Sequence, residues 1–308
     1  MTAPGSGSGT SPGSASGPAF AGVLPIDKPE GPTSHDVVAI ARRALGERRI
    51  GHTGTLDPFA TGLLLLCIGN ATRIAEYLTA LPKTYEATLR LGQTTDTDDL
   101  TGEVIASNDA LGDVDEDAVR AAFAAQMGTI RQIPPRYSAK KVAGRRMYES
   151  ARAGDEVERT PVEVTISGID VTRIAPPEVD FTVDCSSGTY IRAIARDVGE
   201  TLGIGAHLTA LRRTRIGVFD VRAAIGLDDL ADRAAVQRIL LAPAAALAHL
   251  PAVVLGDDAV AAIGNGRAVD APTDLAAAGP IRLMSEGGAL LAIAERRADT
   301  LQPRKVFL

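Results

Sequence analysis

The chain has no tryptophan, only two cysteines and four histidines in 308 residues, and aromatic side chains make up 4% of it. Cys67 lies inside an apolar run and Cys185 at the end of an alternating segment. That spacing implies neither a disulfide framework nor a zinc site, and it suits a reducing cytoplasm. His35, His52, His207 and His249 show no metal-ligand spacing, and no Ser or Cys motif supplies a hydrolytic triad. A Gly-rich phosphate loop and a dinucleotide fingerprint are both missing, so no cofactor is expected. Long apolar runs are scarce too. The longest uncharged one, Ile239 to Leu255, carries Pro243, Pro251 and His249, and suits an inter-domain connection better than a membrane span. Residues 1–18 are nearly all Gly, Ser, Ala, Pro and Thr, and read as a disordered tail, not a signal peptide.

What is present is ordinary in amount and uneven in distribution. Apolar residues make up 45% and charged residues 23%, enough for one large domain with a smaller companion. The net charge of -6 argues against nucleic acid as a partner of the whole surface. Yet the stretch between Arg90 and Arg120 contains nine acids and no base, whereas Arg131, Arg136, Lys140, Lys141, Arg145, Arg146 and Arg152 crowd a segment whose only acid is Glu149. Such segregation gives either a solvated loop or a local basic face on an acidic protein.

The periodicities predict a strand over Gly22 to Pro29, then a helix capped by Ser34 with Val37, Ile40, Ala41 and Ala44 inward and Gly46 at its end. A buried strand is expected from Leu63 to Ile68, and a helix capped by Asn70 after it. Tyr85, Ala87, Leu89 and Leu91 alternate with polar residues, as do Val179, Phe181, Val183 and Cys185, so each set reads as a half-buried strand. Helices are expected near Asp117 to Met127 and after the turn Ser186 to Thr189, the latter with Ile191, Ile194, Ala195, Val198 and Leu202 inward. Strands and helices do not alternate one for one. That favours an α+β fold with a mixed, largely antiparallel sheet flanked by helices, and a small all-β appendage from about Pro251.

Two places concentrate chemistry. Gly51-His52-Thr53-Gly54-Thr55-Leu56-Asp57-Pro58-Phe59-Ala60-Thr61-Gly62 sets a single carboxylate on a Gly/Thr/Pro-rich loop that leads into Leu63 to Leu66. Arg192 falls in the first turn of its helix, where the macrodipole disfavours a cation. Its position makes sense if it faces an anion, a phosphate or a carboxylate such as Asp57, which it would hold ionised and fixed in direction. Asp96 to Asp99 lacks the later ligands of a calcium loop and reads as a structural acidic turn.

In series, these segments resemble the bacterial tRNA pseudouridine-55 synthases, the TruB-type family. The resemblance runs from Gly22 to about Leu247 through Lys28-Pro29-x-Gly31-x-Thr33-Ser34, the Asp57 loop, Lys83-Thr84-Tyr85 and Gly92-x-Thr94-Thr95-Asp96-Thr97-Asp98. It continues through Pro134-Pro135-x-Tyr137-Ser138-Ala139-Lys140, Ser187-Gly188-Thr189-Tyr190-Ile191-Arg192 and Leu211-Arg212-Arg213-Thr214. It implies that Asp57 is the catalytic aspartate, that Tyr85 packs on the target uracil, and that Arg192 pairs with the aspartate. Tyr190 lines the same pocket, the backbone of Leu211 touches the uracil, His52 meets the opened RNA loop, and Lys28 also contacts substrate. Arg73 corresponds to a position facing RNA phosphate, and Lys140, Lys141 and Arg145 belong to a basic RNA-binding insertion at 131–152.

The same resemblance implies a pseudouridine synthase-like catalytic domain at 19–248 and a short PUA-like RNA-binding domain at 249–308. Its substrate is the T-arm stem-loop of tRNA, in which a uridine is isomerised without metal or cofactor. A cytoplasmic monomer without an obligatory protein partner or membrane contact is expected. Two alternatives remain: a guide-RNA-dependent subunit, and an RNA-binding or tRNA-folding protein in which catalysis is incidental. A plain aspartate hydrolase ranks third, because no second carboxylate is placed to activate water.

Overall fold

A computed structural model describes residues 20–108, 114–137, 141–142, 145–146, 159–275 and 279–308. The first part of the chain supplies strands β1 (Gly22–Lys28), β2 (Ile50–His52), β3 (Thr61–Ile68), β4 (Lys83–Leu91), β5 (Gln93–Thr95), β6 (Val104–Ser107) and β7 (Gly128–Gln132). The two-residue strands β8 (Lys141–Val142) and β9 (Arg145–Arg146) follow, then β10 (Val162–Ala175), β11 (Glu178–Cys185), β12 (Ala206–Ile216) and β13 (Phe219–Asp220). The main sheet runs β1-β3-β12-β4-β11-β10-β7, with β2 beside β3 and β13 beside β12. Every pairing in it is antiparallel except β3 with β12, which is parallel and joins only Thr61 with Arg212 and Gly62 with Arg213. The expected mixed sheet is present, and this short seam divides it into two halves.

In the β4 half, the alternation read from sequence becomes one buried face. Tyr85, Ala87 and Leu89 stand opposite Val183, Phe181 and Val179 across β4 and β11. The helix Ile191–Thr201 lays Ile191, Ile194, Ala195 and Val198 on that face. Each large side chain so buried contributes about 1.5–3 kcal/mol. In the β3 half both faces are covered, which is why Leu63 to Ile68 is apolar without alternation. At the seam Gly62 has φ +100°, and a Cβ there would overlap the carbonyl oxygen of Arg213. Only glycine lets the two strands approach so closely.

Several local expectations change. The helix Ser34–Leu45 is capped by Thr33, whose side chain and that of Asp36 form a reciprocal capping box, and Ser34 is the first helical residue. Its buried face uses Val38 and Leu45 rather than Ala44, and it ends at Gly46 in the left-handed region as expected. Asn70 caps nothing: Gly69–Ile74 is a 3₁₀ turn leading into the short helix Ala75–Thr79. The third helix is Glu116–Ala124, capped by Asp115.

The C-terminal residues form strands β14 (Ala252–Leu255), β15 (Val269–Asp270), β16 (Pro280–Ser285), β17 (Leu290–Arg297) and β18 (Thr300–Val306), ordered β14-β16-β17-β18-β15. The appendage is not all-β, because a helix, Asp257–Gly264, buries Ile263 in the same core as Leu283, Leu291 and Leu301. Ile293 instead joins the core of Leu63, Leu65 and Ile74 in the main sheet, and Arg282 donates to the carbonyls of Ala244 and Leu250. No described helix is long and apolar enough to cross a membrane.

Candidate active site

The Asp57 loop is rich in glycine yet held along its length, because buried polar side chains bind its backbone from below. Arg213, 1% exposed, donates from Nη2 to the carbonyl of Gly54 at 3.1 Å and from Nε to that of Leu63 at 2.7 Å. The Ser34 hydroxyl donates to the carbonyl of Leu56 at 3.1 Å and accepts from its N–H at 2.8 Å. Lys28, fully buried, donates to the carbonyls of Pro29, Pro58 and Ala60 at 2.8, 3.2 and 2.7 Å. A loop polypeptide with these carbonyls buried needs donors beneath it, and three side chains provide them. The Asp57 carboxylate is not used in this bracing and keeps 35% of its side chain exposed.

Across from it stands Arg192, whose guanidinium satisfies four partners at once. Nε lies 3.1 Å from Oδ2 of Asp57, and Nη1 lies 2.8 Å from Oδ2 of Asp99. Nη1 also donates to the carbonyl of Thr97 at 3.0 Å, and Nη2 to that of Tyr137 at 2.8 Å. Arg192 and Asp99 are 7% and 3% exposed, whereas Asp57 keeps 35% of its side chain open. The buried carboxylate neutralises the guanidinium, and the open one is left at the mouth of the site. Burial raises the Asp57 carboxyl above its ordinary value, Arg192 pulls it back, Asp99 adds to the rise and Lys28 opposes it.

Tyr85 lies on the buried face of β4, in one apolar cluster with Leu56, Phe59, Ile191 and Leu211. Its hydroxyl meets the Arg213 guanidinium, and burial raises its pKa, against the pull of Arg213. Tyr190 occupies the position before the Ile191–Thr201 helix, makes no side-chain capping bond to it, and is half-buried. Asp57 is thus paired with Arg192, Tyr85 and Leu211 share a cluster with Leu56, Phe59 and Ile191 from the segments that carry that pair, and Tyr190 directly precedes Ile191. His52 closes β2 and packs edge-to-face on His35, with ring centroids 5.3 Å apart. A cleft of about 540 Å³ adjoins the Tyr85 cluster: Phe59 and Leu211 line it together with Glu86, Thr88, Asp180 and Thr182, while Asp57, Tyr85 and Arg192 are not part of its lining.

Three expected roles change or fall elsewhere. Lys28 does not present its ammonium to a ligand: it is enclosed beneath the loop, where three carbonyls take its three protons, so it is a brace. Arg73 stands apart from the pocket at the junction with the C-terminal strands, bound to the carbonyl of Val306 and lying 4.8 Å over the ring of Phe307. Lys140 lies outside the described residues, and Lys141 and Arg145 are described only as backbone of the β8–β9 pair. Conversely, sequence reading missed Asp99 and Arg213. In the sequence Asp99 reads as part of a structural acidic turn. The signal available was the run of acids itself, since such a turn in a chain with an unexplained helix-head arginine is a candidate counter-charge.

Comparison with known proteins places this geometry in context. The N-terminal domain of the TruB family pseudouridylate synthases matches residues 42–191. The tRNA pseudouridylate synthase B C-terminal domain matches residues 192–249, and the C-terminal domain of pseudouridine synthase II TruB matches 251–307. The chain is 47% identical over 294 residues to tRNA pseudouridine synthase B of Thermobifida fusca, covering 93% of this chain and 98% of that one. It is 44% identical over 300 residues to the protein of the same name from an Arthrobacter species, covering 94% and 97%. Among solved structures it resembles a chain of a Cbf5-Nop10-Gar1 complex, with TM-score 0.74, 29% identity and coverage of 93% and 85%. A chain of an H/ACA RNP bound to a substrate RNA is similar with TM-score 0.72, 28% identity and the same coverage.

Proposed function

The chain belongs to the TruB family of pseudouridylate synthases, and we propose that it acts on the uridine at position 55 in the T-loop of tRNA, with Asp57 as the catalytic carboxylate. It is an isomerase that converts uridine in tRNA to pseudouridine. The observation that carries the site assignment is the Asp57–Arg192 pair: a part-open carboxylate on a braced loop, aimed by a buried guanidinium.

The reaction breaks the C1′–N1 bond, turns the uracil and joins C5 to C1′, while C5 loses its proton and N1 takes one up. Nothing is oxidised or reduced. The base must leave its stack before the sugar carbon is accessible. Tyr85 offers the departing base a stacking face, worth about 1–3 kcal/mol. Asp57 acts at the sugar, and Arg192 keeps its carboxylate charged and directed. Tyr190 and Leu211 close the pocket around the base, and His52 meets the opened loop. Folded-RNA shape and phosphate contacts supply recognition, with residues 249–308 as an accessory RNA-binding module and the cytoplasm as the site of action.

The test is tRNA transcript carrying tritium at uracil C5, mixed with protein alone. Wild type is expected to release tritium and place pseudouridine in the T-loop, and Asp57→Asn to lose about 10⁴-fold or more of the rate. Release that survives Asp57→Asn moves the chemistry to another residue. Two solved relatives belong to larger assemblies, so tight tRNA binding without release from wild type would favour a partner- or guide-dependent subunit.

A further inference from the structure

Arg192 can direct Asp57 only if the helix that carries it enters at a fixed angle, and that helix begins without a cap of its own. Tyr190 occupies the capping position and offers no side-chain acceptor to the first turn. Gln132, the last residue of β7, is fully buried and grips Tyr190 at both ends. Its Oε1 accepts from the Tyr190 N–H at 2.8 Å, and its Nε2 donates to the Tyr190 carbonyl at 3.0 Å. That carbonyl also receives the N–H groups of Ala193 and Ile194 at 3.1 and 3.3 Å, so one amide closes the network that starts the helix. The residues just beyond Gln132 are tied to the same helix, Ile133 through Arg196 Nη2 at 3.0 Å and Tyr137 through Arg192 Nη2 at 2.8 Å.

We propose that Gln132 is a positioning residue for this reaction, fixing the backbone on both sides of Tyr190 and so the direction in which Arg192 meets Asp57. The claim rests on the assignment of Asp57 as the catalytic carboxylate. A buried primary amide is expensive unless both its ends are paired, and here both are paired to the backbone of one residue, across the two peptide groups that flank its Cα. An arginine side chain is a lever: a tilt of roughly 10° at the helix head moves its guanidinium by about 1 Å, enough to cost on the order of 100-fold in a reaction that depends on alignment. A side chain that served only to fill space would carry no such requirement for its two polar atoms.

Two substitutions separate positioning from bulk. Gln132→Met keeps the length and deletes both bonds. Gln132→Glu keeps the acceptor for the Tyr190 N–H but, when ionised, sets an oxygen against the Tyr190 carbonyl; when protonated, it donates to that carbonyl again. In single-turnover assays at saturating tRNA, Gln132→Met is expected to be slower by about 10- to 100-fold, with tRNA Kd within about two-fold of wild type. The rate of Gln132→Glu relative to wild type at each pH should rise as pH falls, while that of Gln132→Met stays flat. A crystal structure of either variant reads the Arg192 Nε–Asp57 Oδ2 separation, 3.1 Å in the native protein, without reference to activity. Wild-type rates in folded Gln132→Met, a rate loss explained wholly by weaker tRNA binding, or an unmoved Arg192–Asp57 pair in a slow variant would each overturn the proposal. If Gln132→Met does not fold, the pH-dependent ratio of Gln132→Glu decides. Should wild type itself release no tritium, the functional assignment fails, and the Arg192–Asp57 separation still decides the positioning role.

Discussion

Lys28 and Arg192 are both basic, both buried and both beside the Asp57 loop, but the protein handles the two charges in opposite ways. Beneath the loop, Lys28 meets three neutral carbonyls, and burial pushes its ammonium down to about 8 against the pull of Asp57 and Glu30. At the helix head, Arg192 meets two carboxylates and two carbonyls. A lysine can relieve a poorly solvated charge by losing its proton, so a carbonyl cage suffices; a guanidinium cannot, so it must be given counter-charge. The floor therefore fixes backbone, and the wall fixes charge. The function of each region follows from that difference.

The largest effect should come from the wall. Arg192→Lys retains one positive charge but cannot reach Asp57, Asp99 and two carbonyls together, so the single-turnover rate should fall about 10²- to 10³-fold with tRNA Kd little changed. The same variant sharpens the electrostatic half of the comparison. In the proposed mechanism Asp57 acts as the carboxylate, and burial raises its pKa while Arg192 lowers it. Weakening Arg192 should move the acid limb of the pH–rate profile to higher pH, and a limb that stays put would mean that Arg192 does not set the Asp57 charge.

A smaller and different effect is expected from the floor. Lys28→Met removes the donor of three buried carbonyls and should lower stability by about 2–4 kcal/mol, seen as a fall in Tm. The pH dependence has a definite sign. The Lys28 pKa is lower in the folded than in the unfolded chain, so the unfolded state holds the proton between about 8 and 10.5. Wild type should gain stability as pH rises through that window, and Lys28→Met should lack the gain. If Lys28→Met lost rate but not stability, the division into a backbone floor and a charged wall would be wrong.

The smallest effect belongs to a cation at the surface. Arg73 is exposed and touches the Val306 carbonyl and the Phe307 ring, so Arg73→Ala should cost about 1 kcal/mol or less in chemical denaturation. A cost larger than that of Lys28→Met would make the domain junction, not the loop floor, the weak point of the fold.

Much of this architecture was legible in residue order. The alternation of Tyr85 to Leu91 and of Val179 to Cys185 placed two strands with the correct inward faces, and Arg192 at a helix head announced a nearby anion. Ser34 was misread because a hydroxyl before a helix usually caps it; Thr33 with Asp36 makes the better reciprocal pair, which releases Ser34 to hold Leu56. A lysine in a loop motif next to a carboxylate looks like a ligand contact, whereas the Lys28 ammonium is bonded to backbone carbonyls. Two of its three carbonyl partners, those of Pro58 and Ala60, lie 30 and 32 residues away along the chain.

The sequence by itself determined the strands around Tyr85 and Phe181, the helices after Thr33 and Thr189, which carboxylate stands on the Gly/Thr/Pro-rich loop and which arginine must face an anion, because these follow from period and neighbouring residues. Only the tertiary structure decided that Asp99 and Asp57 share Arg192, that Lys28, Ser34 and Arg213 lie under the loop, and that Gln132 grips Tyr190. Those contacts join residues tens to hundreds of positions apart, and burial turns each of them from an optional surface contact into a requirement, since a polar group removed from water must find its partner wherever the fold brings one.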